Sequence, residues 1–176
     1  MAMINGNKDA PVAVVGRGGT LTAGLLRGLL PLPVVELTPC QAAAFEGLCR
    51  AVVVENFDQP AQGGLSGCAA ARWALSRRAP VTVVGLDEPE GRRFAAACGG
   101  LIYAYSDGRP QADLTAKNVR LRGERLEFEA LTSRELMRVR VSAGEEPRLY
   151  DHLAALAGAL ALGVPLRDAV ERLSGS

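Results

Sequence analysis

The chain has 176 residues, enough for one domain that buries roughly two thirds of its unfolded surface without metals or disulfide bonds. Its 20 Lys and Arg residues against 19 Asp and Glu leave a net charge of +1, which argues against a nucleic-acid-binding protein that depends on a strong positive field. The longest apolar runs are about half of the ~20 residues that a membrane span needs and the N-terminus is too polar for a signal peptide, so we expect a soluble, cytoplasmic protein without a membrane partner.

From residue 11 to about 105, short runs rich in Val or Ile alternate with longer stretches rich in Ala and Leu. Near-continuous apolar runs are typical of parallel strands that are covered on both faces. Strands are predicted at 12–15, 33–36, 51–54, 81–84 and 101–104, and helices at about 20–30, 39–48, 64–78 and 90–98. This alternation of strand and crossover helix indicates a doubly wound α/β domain.

After Ser106 the apolar residues alternate with polar ones, as in half-buried antiparallel strands. The alternation changes register near Lys117 and Asn118, which predicts a β-bulge. Two further strands are predicted at 126–130 and 137–141, the first of them after a turn at residues 122–125. This part of the chain should therefore form a small antiparallel meander.

The end of the chain returns to a helical pattern. Leucines at 149, 153, 156 and 160 share one helix face, Gly163 is predicted to end this helix, and Pro165 to begin a last one. The fold expected is a three-layer α/β domain with a mainly parallel sheet. Its predicted parts are a flexible N-terminus over 1–10 and a single domain over 11–173, made of a parallel α/β part over 11–105, a meander over 106–142 and two closing helices over 147–173.

The first strand-to-helix turn contains three glycines, in the sequence Gly-Arg-Gly-Gly-Thr-Leu-Thr. Glycines let backbone N–H groups approach a phosphate, and the following helix N-terminus adds partial positive charge. A P-loop would need Lys in place of Thr20 and Ser or Thr in place of Leu21, and GxGxxG is satisfied at only two of its three glycines. A turn that merely lets the helix pack closely on the sheet explains the glycines equally well. The candidate cofactor-binding residues here are Gly16, Arg17, Gly18, Gly19, Thr20, Leu21 and Thr22.

Glu36 ends the second predicted strand, 20 residues after Gly16. The acid that binds the ribose in a dinucleotide-binding fingerprint stands at this spacing, although any tightly built βαβ unit gives it too. A Rossmann-like nucleotide- or dinucleotide-binding domain therefore stays open as one alternative.

Three later segments occur in an order that resembles a known family. Residues 83–93 resemble an Asn-x-Asp-Asp-Pro segment, residues 105–128 follow a meander after it, and residues 150–166 resemble an Ala-rich helix pair. Together, from Val12 to Leu173 with gaps, they resemble the central, ATP-binding domain of the Mur ligases and of folylpolyglutamate and cyanophycin synthetases. The resemblance implies ATP and Mg²⁺ as cofactors and makes Asp87 a cofactor-binding candidate, although Asp87 also suits a turn before a helix.

Several positions depart from that family's pattern. Glu36 fits its magnesium-binding glutamate and is the one candidate metal ligand that is kept, while the cysteines show no CxxC spacing for zinc. The departures are Thr20 for the loop lysine, Leu21 for the loop threonine, Pro60 and Ala61 for an Asp-His pair, Arg72 for a carbamylated lysine that holds a second magnesium, and Gly85 for an asparagine associated with adenine.

These departures predict a degenerate, stand-alone Mur-ligase-like domain with no catalytic residues and weakened ATP and Mg²⁺ binding. We expect it to serve as a binding or scaffold module without the flanking substrate domains, in the context of cell-wall precursor synthesis that the resemblance supplies. A nucleotide or another anion is the candidate ligand of the glycine loop, and half-exposed apolar strands predict a protein partner or a homo-oligomer. The other alternative is an ATP-dependent amide ligase that is active only with a partner subunit.

Overall fold

The computed structural model describes residues 9–16, 20–55, 65–143 and 148–175, with the backbone alone at residues 65–70. The strands are β1 (Val12–Val15), β2 (Val34–Leu37), β3 (Ala51–Val54), β4 (Val81–Gly85), β5 (Leu101–Ser106), β6 (Leu114–Arg122), β7 (Arg125–Leu131) and β8 (Leu136–Ser142). The helices are α1 (Thr20–Leu29), α2 (Pro39–Ala44), α3 (Leu65–Ser76), α4 (Pro89–Ala97), α5 (Leu149–Ala161) and α6 (Leu166–Ser174).

All these strands belong to one sheet, in the order β2-β1-β3-β4-β5-β6-β7-β8. Pairing is parallel from β2 to β6 and antiparallel from β6 to β8. The parallel part joins the meander through only two residue pairs, Tyr105 with Leu114 and Ser106 with Thr115. The predicted mainly parallel sheet with an antiparallel extension is confirmed.

Both faces of the parallel strands are covered, because alternate side chains enter two different cores. Val12 and Val14 of β1 pack with residues of α1, α5 and α6, whereas Ala13 and Val15 pack with residues of α2, α3 and α4. All four side chains are fully buried. This is the three-layer architecture that the apolar runs predicted.

Helix α5 is buried around nearly its whole circumference, with every residue from His152 to Ala159 buried. It packs against α1, α6 and the sheet. A Cβ at Gly158 would lie 3.0 Å from Leu26 Cδ2, so glycine at this position allows the close approach of α5 to α1. The predicted leucine stripe is therefore only part of the buried surface of this helix.

The part of the chain that the structure describes covers the meander on one face only. Leu126, Phe128 and Ala130 of β7 are buried, and the intervening residues are half-exposed. The predicted bulge is confirmed, since the register shifts between Lys117 and Arg120.

One predicted helix end differs clearly from the structure, and another agrees with it. The helix predicted over 39–48 already ends at Ala44, because Phe45 adopts an extended backbone. Its start is defined by a capping box in which Thr38 and Gln41 satisfy each other's backbone N–H groups. Gly163 ends α5 with a φ of 89°, as its place in the sequence predicted. Among the described residues, no helix combines the length and apolar character needed to cross a membrane.

Candidate functional site

Gly16 and Glu55 meet at the carboxyl edge of the sheet. They follow β1 and β3, which are paired in parallel, and the Glu55 N–H donates to the Val15 carbonyl over 2.9 Å. A Cβ on Gly16 would lie 3.0 Å from both the Cβ and the backbone oxygen of Glu55. The glycine is therefore required here by the close approach of Glu55.

Glu55 belongs to a buried hydrogen-bonded group with Thr22 and Asp151. The Thr22 hydroxyl, in the first turn of α1, donates to Glu55 Oε1 and lies 3.2 Å from Asp151 Oδ1. A hydroxyl has a single proton, so both contacts are hydrogen bonds only when one of the two carboxyl groups carries a proton. Glu55 Oε2 is buried and has no hydrogen-bond partner among the described residues.

Burial changes the acidity of this group. Desolvation raises the pKa of Glu55 to about 7, the charges of Asp151 and Glu36 add to this rise, and the Thr22 hydrogen bond opposes it. Desolvation also raises the pKa of Asp151, against the opposing effects of Thr22, Arg148 and His152. Near neutral pH, Glu55 is therefore divided between its protonated and charged forms.

Thr20 and Glu36 form a second, exposed pair at the same edge. The Thr20 hydroxyl donates to Glu36 Oε1 over 2.9 Å. The structure thus brings together four of the predicted site residues, Gly16, Thr20, Thr22 and Glu36, around the start of α1. Leu21 is half-buried beside them, and Arg17, Gly18 and Gly19 lie outside the described residues.

Comparison of the sequence with family models and with curated proteins gives no match. Comparison of the structure with solved structures does. The crystal structure of MurF from Acinetobacter baumannii aligns with a TM-score of 0.80 over 96% of this chain and 46% of that chain, at 20% identity. A pseudomurein peptide ligase type C from Methanothermus fervidus aligns with a TM-score of 0.75 over 96% of this chain and 50% of that chain, at 14% identity. MurF ligase from Thermotoga maritima in complex with ADP aligns with a TM-score of 0.73 over 96% of this chain and 48% of that chain, at 12% identity.

The chain has the Mur ligase central-domain fold. It spans about half of the length of the Mur ligases that it matches. At these identities the likeness establishes the fold, and what the site does depends on its own residues.

Arg72 faces Glu55 within this Mur-type fold. Arg72 is buried on α3, and its Nη2 donates to the Glu55 backbone oxygen over 3.3 Å. The sequence placed Arg72 where the Mur ligase resemblance implies a carbamylated lysine. A guanidinium does not form that carbamate, so here it anchors the end of β3 instead. Pro60 and Ala61, the other predicted departures of this region, lie outside the described residues.

Asp87, the remaining candidate for cofactor binding, joins the ends of β4 and β5. Its Oδ1 accepts from the Ser106 hydroxyl over 2.6 Å and its Oδ2 from the Asp107 N–H over 3.0 Å. Nearby, a Cβ on Gly85 would lie 3.2 Å from the Tyr105 ring, so a larger side chain would press on that ring. Asp87 thus has a structural role in the turn before α4, as its place in the sequence also allowed.

Two residues of the site, Glu55 and Asp151, were not singled out by the sequence. The sequence pattern could have indicated Glu55, because this acid directly follows the predicted strand that became β3. Glu36 has a similar position near the end of β2, and both strands adjoin β1. Asp151 had none, because it lies 129 residues from Thr22 and only tertiary packing brings them together. Among the described residues, no three of the His, Cys, Asp and Glu side chains are placed to hold a metal ion.

Proposed function

We propose that this chain is a non-catalytic Mur-ligase-like domain that acts as a binding or scaffold module. The Mur and pseudomurein ligases that share its fold support a role near cell-wall precursor synthesis. The observation that carries the proposal is Glu55, a buried carboxyl group against Gly16 and at the first turn of α1. A glycine turn before a helix favours a bound phosphate. Here the carboxyl group of Glu55 lies next to that turn, where it would be close to a bound phosphate.

The estimated electrostatic energies disfavour binding of a triphosphate at the glycine turn. With an effective dielectric constant of about 20, two unit negative charges roughly 5 Å apart repel each other by about 3 kcal/mol. A helix N-terminus contributes about 0.3–1 kcal/mol of attraction. Repulsion from the charged form of Glu55 would therefore outweigh the dipole of α1. Near neutral pH a phosphate would meet this form in only part of the molecules, because the pKa of Glu55 is about 7. In both forms of Glu55, Thr20 provides no ammonium to attract the phosphate.

Magnesium finds only a weakened set of ligands in this site. Mg²⁺ requires near-octahedral oxygen ligands and usually shares them with phosphates. Glu36 offers a carboxylate that already accepts a hydrogen bond from Thr20, and Glu55 offers one whose Oε1 is already hydrogen-bonded. Leu21 offers no oxygen, and Arg72 is a cation. No three His, Cys, Asp or Glu side chains of the described residues are grouped to hold a metal ion, which supports a domain with weakened Mg²⁺ binding.

Thermal unfolding of the purified chain with millimolar ATP and Mg²⁺ tests this proposal. A ligand that binds only the folded state raises the melting temperature, so we expect no change for the native chain. A triple variant, Thr20→Lys with Leu21→Thr and Glu55→Gln, is the matched control, because it restores the cation and hydroxyl and removes the charge. We expect a nucleotide-dependent rise in that variant alone.

Two results would contradict the proposal. One is ATP-dependent amide ligation by the purified chain. The other is a magnesium-dependent rise in melting temperature with ATP in the native chain. Ligation that begins only when a co-purifying Mur-like subunit is added would favour the partner-completed ligase instead.

Glu36 supports one second candidate, dinucleotide binding. It pairs with Val14 in the β1–β2 register and is exposed beside the glycine turn, where a ribose-binding acid would stand. Saturable NAD(P) binding that is lost in Glu36→Ala would establish this function, and absence of binding in the native chain would eliminate it.

A further inference from the structure

The outer face of the meander is rich in positive charge. Three rows of residues in register across β6, β7 and β8 point away from the core, and together they form what we call the basic face. Its charged members are Lys117, Arg120, Arg122, Arg125, Glu127, Glu129, Arg138 and Arg140. The six cations are exposed. The chain as a whole has a net charge of only +1, so this face concentrates positive charge locally.

The two carboxylates do not neutralise the basic face. Glu127 lies 3.8 Å from Arg122 Nε and 3.4 Å from Arg140 Nε, and thus serves two guanidinium groups at once. Glu129 accepts a hydrogen bond from Asn118 over 2.6 Å. A recess of about 180 Å³ opens on this face, with Arg120 and Arg138 in its lining. The surface therefore offers cations to an incoming acidic group.

β8 also ends the sheet. It pairs with β7, and within the described ranges no other strand pairs with its outer edge. Such an edge presents unpaired N–H and C=O groups that an extended segment can join as a further strand. Arg138 and Arg140 project from β8 onto the basic face, beside the position that such a segment would take.

We propose that the basic face and the outer edge of β8 together bind an extended, acidic segment of a partner protein. This inference specifies the partner chemistry of the proposed binding role and rests on that role. Acidic side chains at alternate positions of the added strand would lie beside Arg138 and Arg140 on the same face, while its backbone pairs with β8.

Charge distinguishes this occupant from two others. Antiparallel pairing of β8 with β8 of a second copy would bring Arg138 and Arg140 close to the same cations, and like charges on neighbouring strands are destabilising. A nucleic-acid backbone that crosses the face would meet Glu127 and Glu129 on β7, its middle strand. A polypeptide can place neutral residues there.

The probe is a fluorescein-labelled peptide of alternating Glu and Thr, with a peptide of alternating Lys and Thr and an oligothymidylate as comparisons. Fluorescence anisotropy should show saturable, salt-sensitive binding of the Glu peptide alone. Arg138→Gln with Arg140→Gln should weaken it about tenfold or more. Arg167→Gln is the matched control, since Arg167 is an exposed arginine of α6, a helix that packs on the opposite face of the meander. Amide hydrogen exchange of β8 should slow when the Glu peptide is bound.

The inference is overturned if the Glu peptide does not bind, if oligothymidylate binds as tightly, or if Arg167→Gln weakens binding as much as the β8 variant. Unchanged exchange in β8, or a dimer of the free chain that buries β8, would also overturn it. The ATP experiment measures nucleotide binding at the glycine turn, while this experiment measures peptide binding at the meander. Ligase turnover with intact peptide binding would therefore refute only the non-catalytic role, and loss of peptide binding without turnover would refute only the docking surface.

Discussion

The parallel strands and the meander belong to one sheet but have different surroundings. In β1 and β3 every side chain is buried, because helices cover both faces. In β7 buried and half-exposed side chains alternate, because helices cover one face. The parallel part can therefore bind a ligand at the ends of its strands, whereas the meander offers a whole face.

This difference determines where charged residues can stand. In the parallel part, Glu55 sits at a strand end and its burial already raises its pKa to about 7. In the meander, cations and acids alternate along the outer face at no comparable cost, since water solvates them. The glycine-turn site and the basic face are therefore two separate candidate sites.

The largest expected effect tests the two faces of the meander against each other. Phe128→Ala should lower the free energy of unfolding by about 3–5 kcal/mol, because it removes a fully buried ring and leaves a cavity. Glu129→Ala, one residue along β7, should cost less than about 1 kcal/mol. Urea denaturation measures both. Equal losses of unfolding free energy in the two variants would mean that another part of the molecule packs on the outer face.

The next effect concerns the buried acid of the parallel part. The pKa of Glu55 rises from an ordinary 4.5 to about 7 in the folded chain. At about 1.4 kcal/mol per unit, the charged form costs roughly 3 kcal/mol of stability. Between pH 4.5 and 7 the unfolded chain releases this proton while the folded chain keeps it. The free energy of unfolding therefore falls as pH rises through this window.

Glu55→Gln should remove most of that fall and be more stable than the native chain at pH 8, with little difference at pH 4. Glu36→Gln makes the same chemical change at an exposed position. It removes only a minor contribution to the raised pKa of Glu55, so most of the fall should remain. Chemical denaturation of the native chain and both variants from pH 4 to 8 measures these free energies of unfolding. A native chain whose stability rises from pH 5 to 8 would contradict the raised pKa.

A smaller effect tests whether the parallel strands have an outer face at all. Val52 and Val53 point to opposite faces of β3 and are both fully buried. Val52→Ala and Val53→Ala should each lower the free energy of unfolding by about 2 kcal/mol. A loss from only one of them would show that one layer of helices is missing in solution.

The smallest effect lies on the basic face. A double-mutant cycle between Glu127 and Arg140 should give a coupling below about 1 kcal/mol that weakens with added salt, because both side chains are solvated. A larger, salt-independent coupling would show that another element covers this face.

The local pattern of apolar residues predicted which strands and helices form better than it predicted where they end and which side of each helix is buried. Four of the five parallel strands begin where their apolar runs begin, and Gly163 and the bulge near Asn118 were found from residue type and register. In α1, Leu21, Leu25 and Leu29 recur every four residues and so share one helix face, yet Leu29 is buried while Leu21 and Leu25 are only half-buried. The reason is that α5 packs against α1 along a line through Leu26, which depends on where α5 lies.

The sequence by itself determined the layers, because the period of apolar residues decides whether an element is covered on one face or two. It also placed Gly16, Thr20 and Glu36 at one edge, since parallel strands align their carboxyl ends. Only the tertiary structure joined Thr22 to Asp151 and gathered six cations on one face of the meander. Such groups arise from helix packing and strand register between distant segments, and no local spacing encodes them.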